Sequence, residues 1–170
     1  MIEKNTLRNI LKTAKTSTSV ILTPFMTSPS YKQMSVDFIN NSNLNSYTDF
    51  IIWVDTVSFR VNVFTGKQKN WKLVKSYPCT IGNPLKPTIR GIFYIEDRGP
   101  YFGVERGYKC LYYTQIKENY LFHSIIYNLD GSINDERMEM KLSDGCIRLL
   151  TPQAKWIYDN IPRNTTTYIT

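Results

Sequence analysis

Alanine, histidine and cysteine are scarce in this sequence, and each scarcity excludes a class of protein. Alanine occurs only twice in 170 residues, whereas β-branched and aromatic residues are frequent. This balance disfavours a bundle of helices and favours a mainly β domain. The sequence also lacks any apolar run near the roughly 20 residues that a membrane-spanning helix needs, so we expect a folded part that is not embedded in a membrane.

The single histidine, His123, and the three cysteines leave little material for a metal site. A structural zinc site with four Cys or His ligands would use all of them, and no C-x-x-C spacing is present. The net charge of +7 is dispersed along the chain rather than gathered in one basic face. We therefore expect no metal and no nucleic acid, and we expect the protein to work in an anionic environment.

The composition of the chain changes near residue 48. Residues 1–47 are rich in Ser, Thr and Asn. A short amphipathic helix is predicted over residues 2–15, followed by a proline-containing loop over residues 16–29. We interpret residues 1–47 as an N-terminal helix and linker region, such as the end of a stalk from a longer protein. An extension packed on the following domain is an equally good interpretation.

Residues 48–170 have the pattern of a mainly β domain. Strands are predicted at 50–54, 57–63, 71–77, 91–96, 111–117, 120–127 and 165–169. The second and third strands are expected to form a hairpin that turns at 65–67. One helix is predicted, with Thr151 as its N-cap, Pro152 in its first position and Pro162 at its end.

One group of residues combines a thiol with a base. Cys146 directly follows Gly145, and His123 lies upstream of both on a predicted strand. A cysteine needs a base or a positive partner to become a thiolate near neutral pH, and His123 is the only imidazole in the chain. Gly145 allows a sharp bend that leaves backbone amides free to stabilise an oxyanion. The group predicts the Cys–His half of a nucleophilic triad, with a buried histidine and a small buried cysteine as the alternative.

Four ordered segments of the chain carry a resemblance to a known family. They are the hairpin at 51–64, the segments Cys79-Thr80-Ile81-Gly82 and Thr88-Ile89-Arg90-Gly91-Ile92-Phe93-Tyr94-Ile95, the strand Phe122-His123-Ser124, and the motif Ser143-Asp144-Gly145-Cys146-Ile147-Arg148-Leu149. Together they resemble the catalytic domain of the YkuD-type L,D-transpeptidases of bacteria. The resemblance implies that residues 48–170 form a mainly β sandwich with one or two short helices.

The resemblance also implies an activity. Cys146 would attack the third residue of a peptidoglycan tetrapeptide stem, with His123 as the base and amides at Gly145 and Cys146 holding the oxyanion. A second stem would accept the acyl group from the thioester, which gives a 3–3 cross-link and a role in cell-wall biogenesis and cell shape. Two alternatives are an L,D-carboxypeptidase, in which water is the acceptor, and a catalytically silent wall-binding module.

The family resemblance further implies where the protein acts and with what. The enzyme would be an acyltransferase at the cell wall, on the outer face of the bacterial membrane, and a target of carbapenems. Its partners would be the donor and acceptor stems, with no cofactor. We expect a monomer whose catalytic domain is tethered through upstream sequence.

Five further residues are expected to bind substrate. The resemblance implies that Arg148 favours the thiolate and binds a substrate carboxylate, with a structural salt bridge as the alternative. Asp144 stands where the family motif usually has a histidine, and we expect it to contact the substrate amine or a backbone amide. Ser143 and Ser124 are assigned to the substrate site with them. Tyr113 is expected to line the groove, because aromatic faces suit sugars and peptides.

The remaining two cysteines are Cys79 and Cys110. The compartment that the substrate implies is oxidising enough for a disulfide, and an odd count fits two structural cysteines plus one nucleophile. We therefore expect that Cys79 and Cys110 form a disulfide, with two buried free thiols as the alternative.

Overall fold

A computed structural model of the chain describes residues 30–170. The predicted helix at 2–15 and the predicted loop at 16–29 lie outside the described residues. The helices are α1 (Tyr31–Asn41) and α2 (Thr151–Asn160), with one 3₁₀ turn at Val104–Arg106. The strands are β1 (Phe50–Asp55), β2 (Arg60–Lys67), β3 (Asn70–Pro78), β4 (Ile81–Gly82), β5 (Gly91–Tyr94), β6 (Arg98–Phe102), β7 (Lys109–Lys117), β8 (Tyr120–His123), β9 (Ile126–Tyr127), β10 (Ile133–Asp135), β11 (Lys141–Ser143), β12 (Ile147–Arg148) and β13 (Thr166–Ile169).

The strands form two main sheets. The first has five strands in the order β3-β2-β1-β13-β5. The second has six, with the order β10-β9-β7-β8-β12 and β6 paired to β7, while β4 and β11 form a separate pair. One hydrophobic cluster draws on both main sheets and on α2, with Ile52 and Val61 from the first, Phe122 and Ile147 from the second, and Ile157 from α2. The prediction of a mainly β domain is confirmed.

Several predicted boundaries shift by a few residues. The strand predicted from residue 57 begins at Arg60, because Asp55 Oδ1 accepts hydrogen bonds from the amides of Val57 and Ser58 and holds them in a turn. The hairpin turns at residues 68–69 rather than at 65–67, since Lys67 still pairs with Asn70. Apolar alternation in the sequence continues through residues 57–59, whereas the turn there depends on the Asp55 side chain, a contact that alternation does not encode.

Helix α2 begins as its proline signal predicts, but with a different cap. Leu150 is the N-cap residue, and Gln153 Nα and Leu150 O close the first turn at 2.9 Å. The Thr151 hydroxyl, which we expected to cap the helix, instead contacts the Tyr127 hydroxyl at 2.6 Å. Thr151 therefore joins α2 to the second sheet rather than ending the helix.

Helix α1 was not among the predicted elements. Its buried residue Ile39 packs on the outer face of the first sheet, against Trp53 and Phe64 among others. Asn40 forms a pair of hydrogen bonds with the backbone of Trp71, at 2.9 Å from Nδ2 to O and 2.7 Å from Oδ1 to N. Residues 31–41, which the sequence placed in a linker region, thus form a helix packed on the sheet. Ser30 begins it by accepting from the Gln33 amide at 3.3 Å.

The structure contradicts the expected disulfide between Cys79 and Cys110. Both are free, buried thiols. Cys79 follows β3, belongs to the central hydrophobic cluster, and donates its amide to Phe59 O at 2.9 Å. Cys110 lies in β7 of the other sheet, opposite Ile126. Burial raises the pKa of both thiols, to about 12 for Cys110, so neither is a nucleophile at neutral pH.

In residues 30–170, no helix combines the length and the apolar character that crossing a bilayer requires.

Candidate active site

Strands β8 and β12 bring the predicted base and the predicted nucleophile together. The two strands are parallel, with Ile147 opposite Phe122 and Arg148 opposite His123. Ile147 and Phe122 point into the hydrophobic cluster, so Arg148 and His123 lie on the other face of the pair. Cys146 precedes β12 and stands two residues before Arg148, which places it on the His123 face.

The His123 ring is held in one tautomer. Its Nδ1 lies 2.6 Å from the backbone oxygen of Ser124. A carbonyl only accepts hydrogen bonds, so Nδ1 carries the proton and Nε2 keeps a free lone pair. The Phe102 ring packs edge-on against the imidazole, with centroids 5.3 Å apart.

Burial keeps the imidazole neutral. Desolvation lowers the pKa of His123 to about 4. The hydrogen bond to Ser124 raises the pKa, whereas the positive charge of Arg148 lowers it further. His123 is therefore an uncharged base near neutral pH, with Nε2 ready to accept a proton.

The Cys146 thiol is also neutral in this arrangement. Burial raises its pKa and the charge of Asp144 adds to that shift, whereas a backbone contact at Leu121 opposes it. Its Sγ donates to the backbone oxygen of Asn119 at 3.2 Å. In the part of the chain that the structure describes, no hydrogen bond joins Sγ to the His123 ring. The site thus holds a neutral thiol and a neutral imidazole on the same face of the strand pair, not a thiolate and an imidazolium.

The loop that carries Cys146 has one backbone conformation. Gly145 has φ +107°, and a Cβ there would lie 2.7 Å from the Tyr120 ring, so glycine is required. The Thr88 hydroxyl donates to Gly145 O at 2.8 Å, and the Ser143 hydroxyl donates to Cys146 O at 2.5 Å. Ser143, expected to bind substrate, therefore holds the loop.

Only one of the two amides expected to stabilise an oxyanion is free. The Gly145 amide donates to the Ser143 hydroxyl at 3.3 Å. For the Cys146 amide, no acceptor is found among residues 30–170. The Cys146 amide is consequently the backbone donor that this loop leaves available next to Sγ.

Ser124 acts through its backbone. Its side chain is fully buried, donates to Ile125 O at 2.6 Å and accepts from the Leu111 amide at 2.7 Å. This contradicts the expectation that the Ser124 side chain binds substrate. The break between β8 and β9, which the sequence treated as one strand, instead turns the Ser124 carbonyl onto His123.

Arg148 forms the salt bridge that the sequence left as an alternative. Its side chain is 3% exposed, and its Nη1 lies 2.9 Å from Asp135 Oδ2. Arg137 contacts the same carboxylate at 2.9 Å. The two guanidinium groups hold the pKa of Asp135 well below its usual range, and the hydrogen bond from Arg137 has the larger effect. Arg148 is thus neutralised by a residue that no motif pointed to, because Asp135 ends the short strand β10, in a charged stretch of sequence without a recognisable pattern.

Asp144 lies at the rim of the site, away from the buried pair. Lys86 Nζ contacts its Oδ2 at 2.9 Å, and Asn83 Nδ2 contacts its Oδ1 at 3.3 Å. Asn83 Nδ2 also donates to Ser143 O at 2.9 Å. Asn83 and Lys86, which follow β4, therefore hold the loop before Cys146 in place through Ser143 and Asp144.

Two clefts open on either side of the β7–β8 hairpin tip, which contains Glu118 and Asn119. One has a volume of about 440 Å³ and is lined by Lys86, Tyr120 and Asp144 among others. The other has a volume of about 510 Å³, and three aromatic residues are among those that line it. Those aromatic residues are Tyr101, Phe102 and Tyr113. Both clefts share the tip residues, and the carbonyl of Asn119 contacts Cys146 Sγ.

The chain belongs to the L,D-transpeptidase catalytic domain (YkuD) family, whose model matches residues 49–169. The Bacillus subtilis protein YciB, provisionally named an L,D-transpeptidase, is 41% identical over 86 residues, which are 46% of this chain and 44% of YciB. The chain thus spans less than half of that curated relative.

Solved structures agree with the family assignment. A protein from Clostridium acetobutylicum, described as a fused Zn-dependent amidase/peptidase/peptidoglycan-binding domain-containing protein, is 40% identical with a TM-score of 0.71, over 82% of this chain and 59% of that one. The L,D-transpeptidase LdtMt1, solved in complex with imipenem, is 17% identical with a TM-score of 0.56, over 72% of this chain and 59% of its own. The predicted family and fold are confirmed.

Proposed function

We propose that this protein is a cysteine L,D-transpeptidase that forms 3–3 cross-links between peptidoglycan stem peptides. One observation carries the proposal: the Ser124 carbonyl holds His123 Nδ1 at 2.6 Å, so that Nε2 is the free base on the face where Cys146 lies. Family membership supplies the reaction class, and the site residues supply the roles.

The first half of the reaction forms a thioester. Cys146 Sγ attacks the carbonyl carbon of the third stem residue while its proton passes to His123 Nε2. The carbonyl oxygen becomes an oxyanion, which the Cys146 amide stabilises. The intermediate then collapses, the C–N bond breaks, and Nε2 returns the proton to the amine of the departing D-alanine.

The low pKa of His123 suits this shuttle. A buried imidazole that has gained a proton is a stronger acid than a free imidazolium, since desolvation disfavours its charged form. It therefore protonates the leaving amine readily. Because Cys146 also rests in its neutral form, proton transfer and C–S bond formation occur together rather than from a stored thiolate.

The second half transfers the acyl group to an amine on a neighbouring stem. Nε2 takes a proton from that amine as its nitrogen attacks the thioester carbon. The C–S bond then breaks, and Nε2 passes the proton to Sγ, which restores the Cys146 thiol. We assign the donor and acceptor stems to the two clefts, which share the hairpin tip whose Asn119 carbonyl contacts Sγ. The net charge of +7 suits an anionic polymer as substrate.

The proposal also covers where and how the protein works. The domain acts at the cell wall, outside the bacterial membrane, tethered through upstream sequence, as a monomer and without a cofactor. Its partners are the donor and acceptor stems, and it does not bind nucleic acid.

Muropeptide analysis tests the proposal against its alternatives. The purified protein is incubated with a disaccharide-tetrapeptide, with Cys146→Ala as the matched control, and the products are separated by mass spectrometry. Dimers linked 3–3 support transpeptidation. Tripeptides alone show that water is the acceptor, and hence a carboxypeptidase. Unchanged substrate with the wild-type chain, under conditions where it is folded, supports a silent wall-binding module and overturns the proposal.

A further inference from the structure

The outer face of the first sheet is only partly covered. Helix α1 packs over β1, β2 and β3, and its Phe38 reaches Tyr168 of β13. The end formed by β13 and β5, together with the segment after α1, surrounds an open cavity of about 280 Å³. Its lining residues are Asn43, Leu44, Asn45, Ser46, Tyr47, Ile92, Tyr94 and Thr166. The hydrophobic cluster lies on the inner face of the same sheet, so this cavity is separated by the sheet from the Cys146 site.

Two tyrosine rings form an exposed aromatic shelf at this cavity. Tyr47 is 81% exposed and Tyr94 is 44% exposed. Their ring centroids lie 5.6 Å apart with an interplanar angle of 50°. Ile92, also exposed, extends the shelf along β5. The three side chains leave an apolar surface in water that the fold does not need for its core.

Hydrogen bonds hold the polar groups beside the shelf in place and leave some of their donors available to a ligand. Ser46 Oγ accepts from the Thr166 amide at 3.0 Å, which anchors the segment to β13. Asn45 Oδ1 accepts from the Ser46 amide at 2.9 Å, whereas no acceptor for Asn45 Nδ2 is found among the described residues. Asn43 and Asn45 both point to solvent. Amide donors and acceptors therefore stand next to the aromatic rings before any ligand arrives.

The chemistry of the lining residues selects a class of ligand. None of the lining side chains carries a charge at neutral pH, although the chain as a whole has a net charge of +7. An anionic stem peptide or phosphate would find no counter-charge there. A neutral ligand with one apolar face and many hydroxyl or amide groups matches the shelf and the asparagines, and this is the description of a sugar ring.

We propose that this cavity binds the neutral, N-acetylated sugars of the glycan strand, apart from the site that reacts with the stem peptides. The choice of polymer rests on the proposed function. Binding there holds the chain on the polymer while the Cys146 site meets successive stems.

The test uses the full chain carrying Cys146→Ala, so that no acyl-enzyme contributes to binding. The probe is N-acetylchitotetraose, which has the sugars and no stem peptide, and binding is followed by NMR titration and by calorimetry. We expect shifts confined to residues 43–47 and to β5. The pair Tyr47→Ala with Tyr94→Ala should weaken binding by about tenfold or more. Tyr47→Phe with Tyr94→Phe keeps the ring faces and should retain binding, and Val57→Ala, at an exposed site elsewhere, should leave it unchanged.

Three results would overturn the glycan site. The first is no binding of the probe, and the second is binding that is unchanged when both tyrosines are replaced by alanine. The third is a concentration-dependent dimer in ultracentrifugation that the double alanine substitution abolishes, which would make the shelf a self-association surface. The proposed function is separated by the wild-type reaction with a soluble tetrapeptide. If the probe does not bind while that reaction proceeds, only the proposed glycan site is contradicted. If the probe binds while no reaction occurs, only the proposed transpeptidase function is contradicted.

Discussion

The thiol of Cys146 donates a hydrogen bond to the backbone oxygen of Asn119, with 3.2 Å between Sγ and O. Asn119 lies at the tip of the β7–β8 hairpin, between the two clefts. A carbonyl acceptor favours the protonated thiol, and the raised pKa of Cys146 has the same consequence. The proposed mechanism therefore requires the Cys146 side chain to turn from Asn119 toward His123 Nε2 when a substrate carbonyl arrives.

Removing the base should abolish acylation without unfolding the protein. His123→Ala leaves Cys146 as an unassisted thiol with a raised pKa, so we expect a loss in acylation rate of roughly 10²–10⁴-fold. Stopped-flow or quenched mass spectrometry measures the rate, and circular dichroism verifies folding. A folded His123→Ala variant with near wild-type acylation would remove His123 from the mechanism.

In the dependence of kcat/KM on pH, the decline on the acid side should occur at an unusually low pH. His123 has a pKa of about 4, lowered from 6.5 mainly by burial. In the proposed mechanism the neutral imidazole is the base, and this form is present above about pH 4 and lost as the pH falls through that value. We expect kcat/KM to be retained at pH 6 and to decline toward pH 4. A decline centred near the pKa of a free imidazole would contradict this placement of the ring.

The same shift makes stability depend on pH. The unfolded chain binds a proton at His123 below about pH 6.5, while the folded chain does so only near pH 4. Between these values stability falls as the pH falls, by up to about 1.4 kcal/mol per pH unit from this group. His123→Gln should flatten the drop in melting temperature between pH 7 and pH 5. An equally steep drop in the variant would assign the effect to other groups.

A carbapenem should acylate Cys146 and no other cysteine. LdtMt1, which shares the fold, was solved in complex with imipenem. Cys79 and Cys110 are buried thiols with raised pKa, so neither competes. Intact-mass analysis should show one adduct per chain, absent from Cys146→Ser. Peptide mapping that places the adduct on Cys110 would contradict the assignment of the nucleophile.

Asp144 should be replaceable. Its salt bridge to Lys86 is exposed, with 71% of the Asp144 side chain accessible, so its loss should cost less than about 1 kcal/mol of stability. Its charge raises the pKa of Cys146, so Asp144→Asn and Asp144→His should keep or increase acylation. Lys86→Met is the matched control, because it breaks the same pair and keeps the carboxylate. Complete loss of activity in Asp144→Asn would show that the carboxylate itself holds the loop.

Gly145 should tolerate no side chain. Gly145→Ala combines φ +107° with a Cβ 2.7 Å from the Tyr120 ring, so the loop must move. We expect a loss of acylation together with a lower melting temperature. Gly107→Ala is the matched control: φ there is +82° and no atom lies within 4 Å of the new Cβ, so only backbone strain is added. Equal effects of both substitutions on acylation would show that strain, not the Tyr120 contact, is what matters.

Local patterns predicted the longer strands of the first sheet and helix α2. The strands at 50–54 and 71–77 and the helix before Pro162 follow from apolar alternation and from proline, which act over a few neighbouring residues. Helix α1 escaped prediction, because its fold depends on Ile39 and Asn40 meeting a sheet that lies later in the chain. A short polar helix has little signal of its own without that partner.

The sequence by itself determined the candidate chemistry: one imidazole, one cysteine in a glycine-containing motif, and the family to which they belong. Tertiary structure alone decided the state of these groups. The tautomer of His123 depends on the Ser124 carbonyl, the charge of Arg148 is met by Asp135, and Cys146 rests on Asn119. Each of these contacts joins atoms whose positions are set by how strands pair and how deeply they are buried. Hydrogen bonding and desolvation act through space, so even the contact between the adjacent residues His123 and Ser124 depends on the break between β8 and β9, which the sequence pattern did not show.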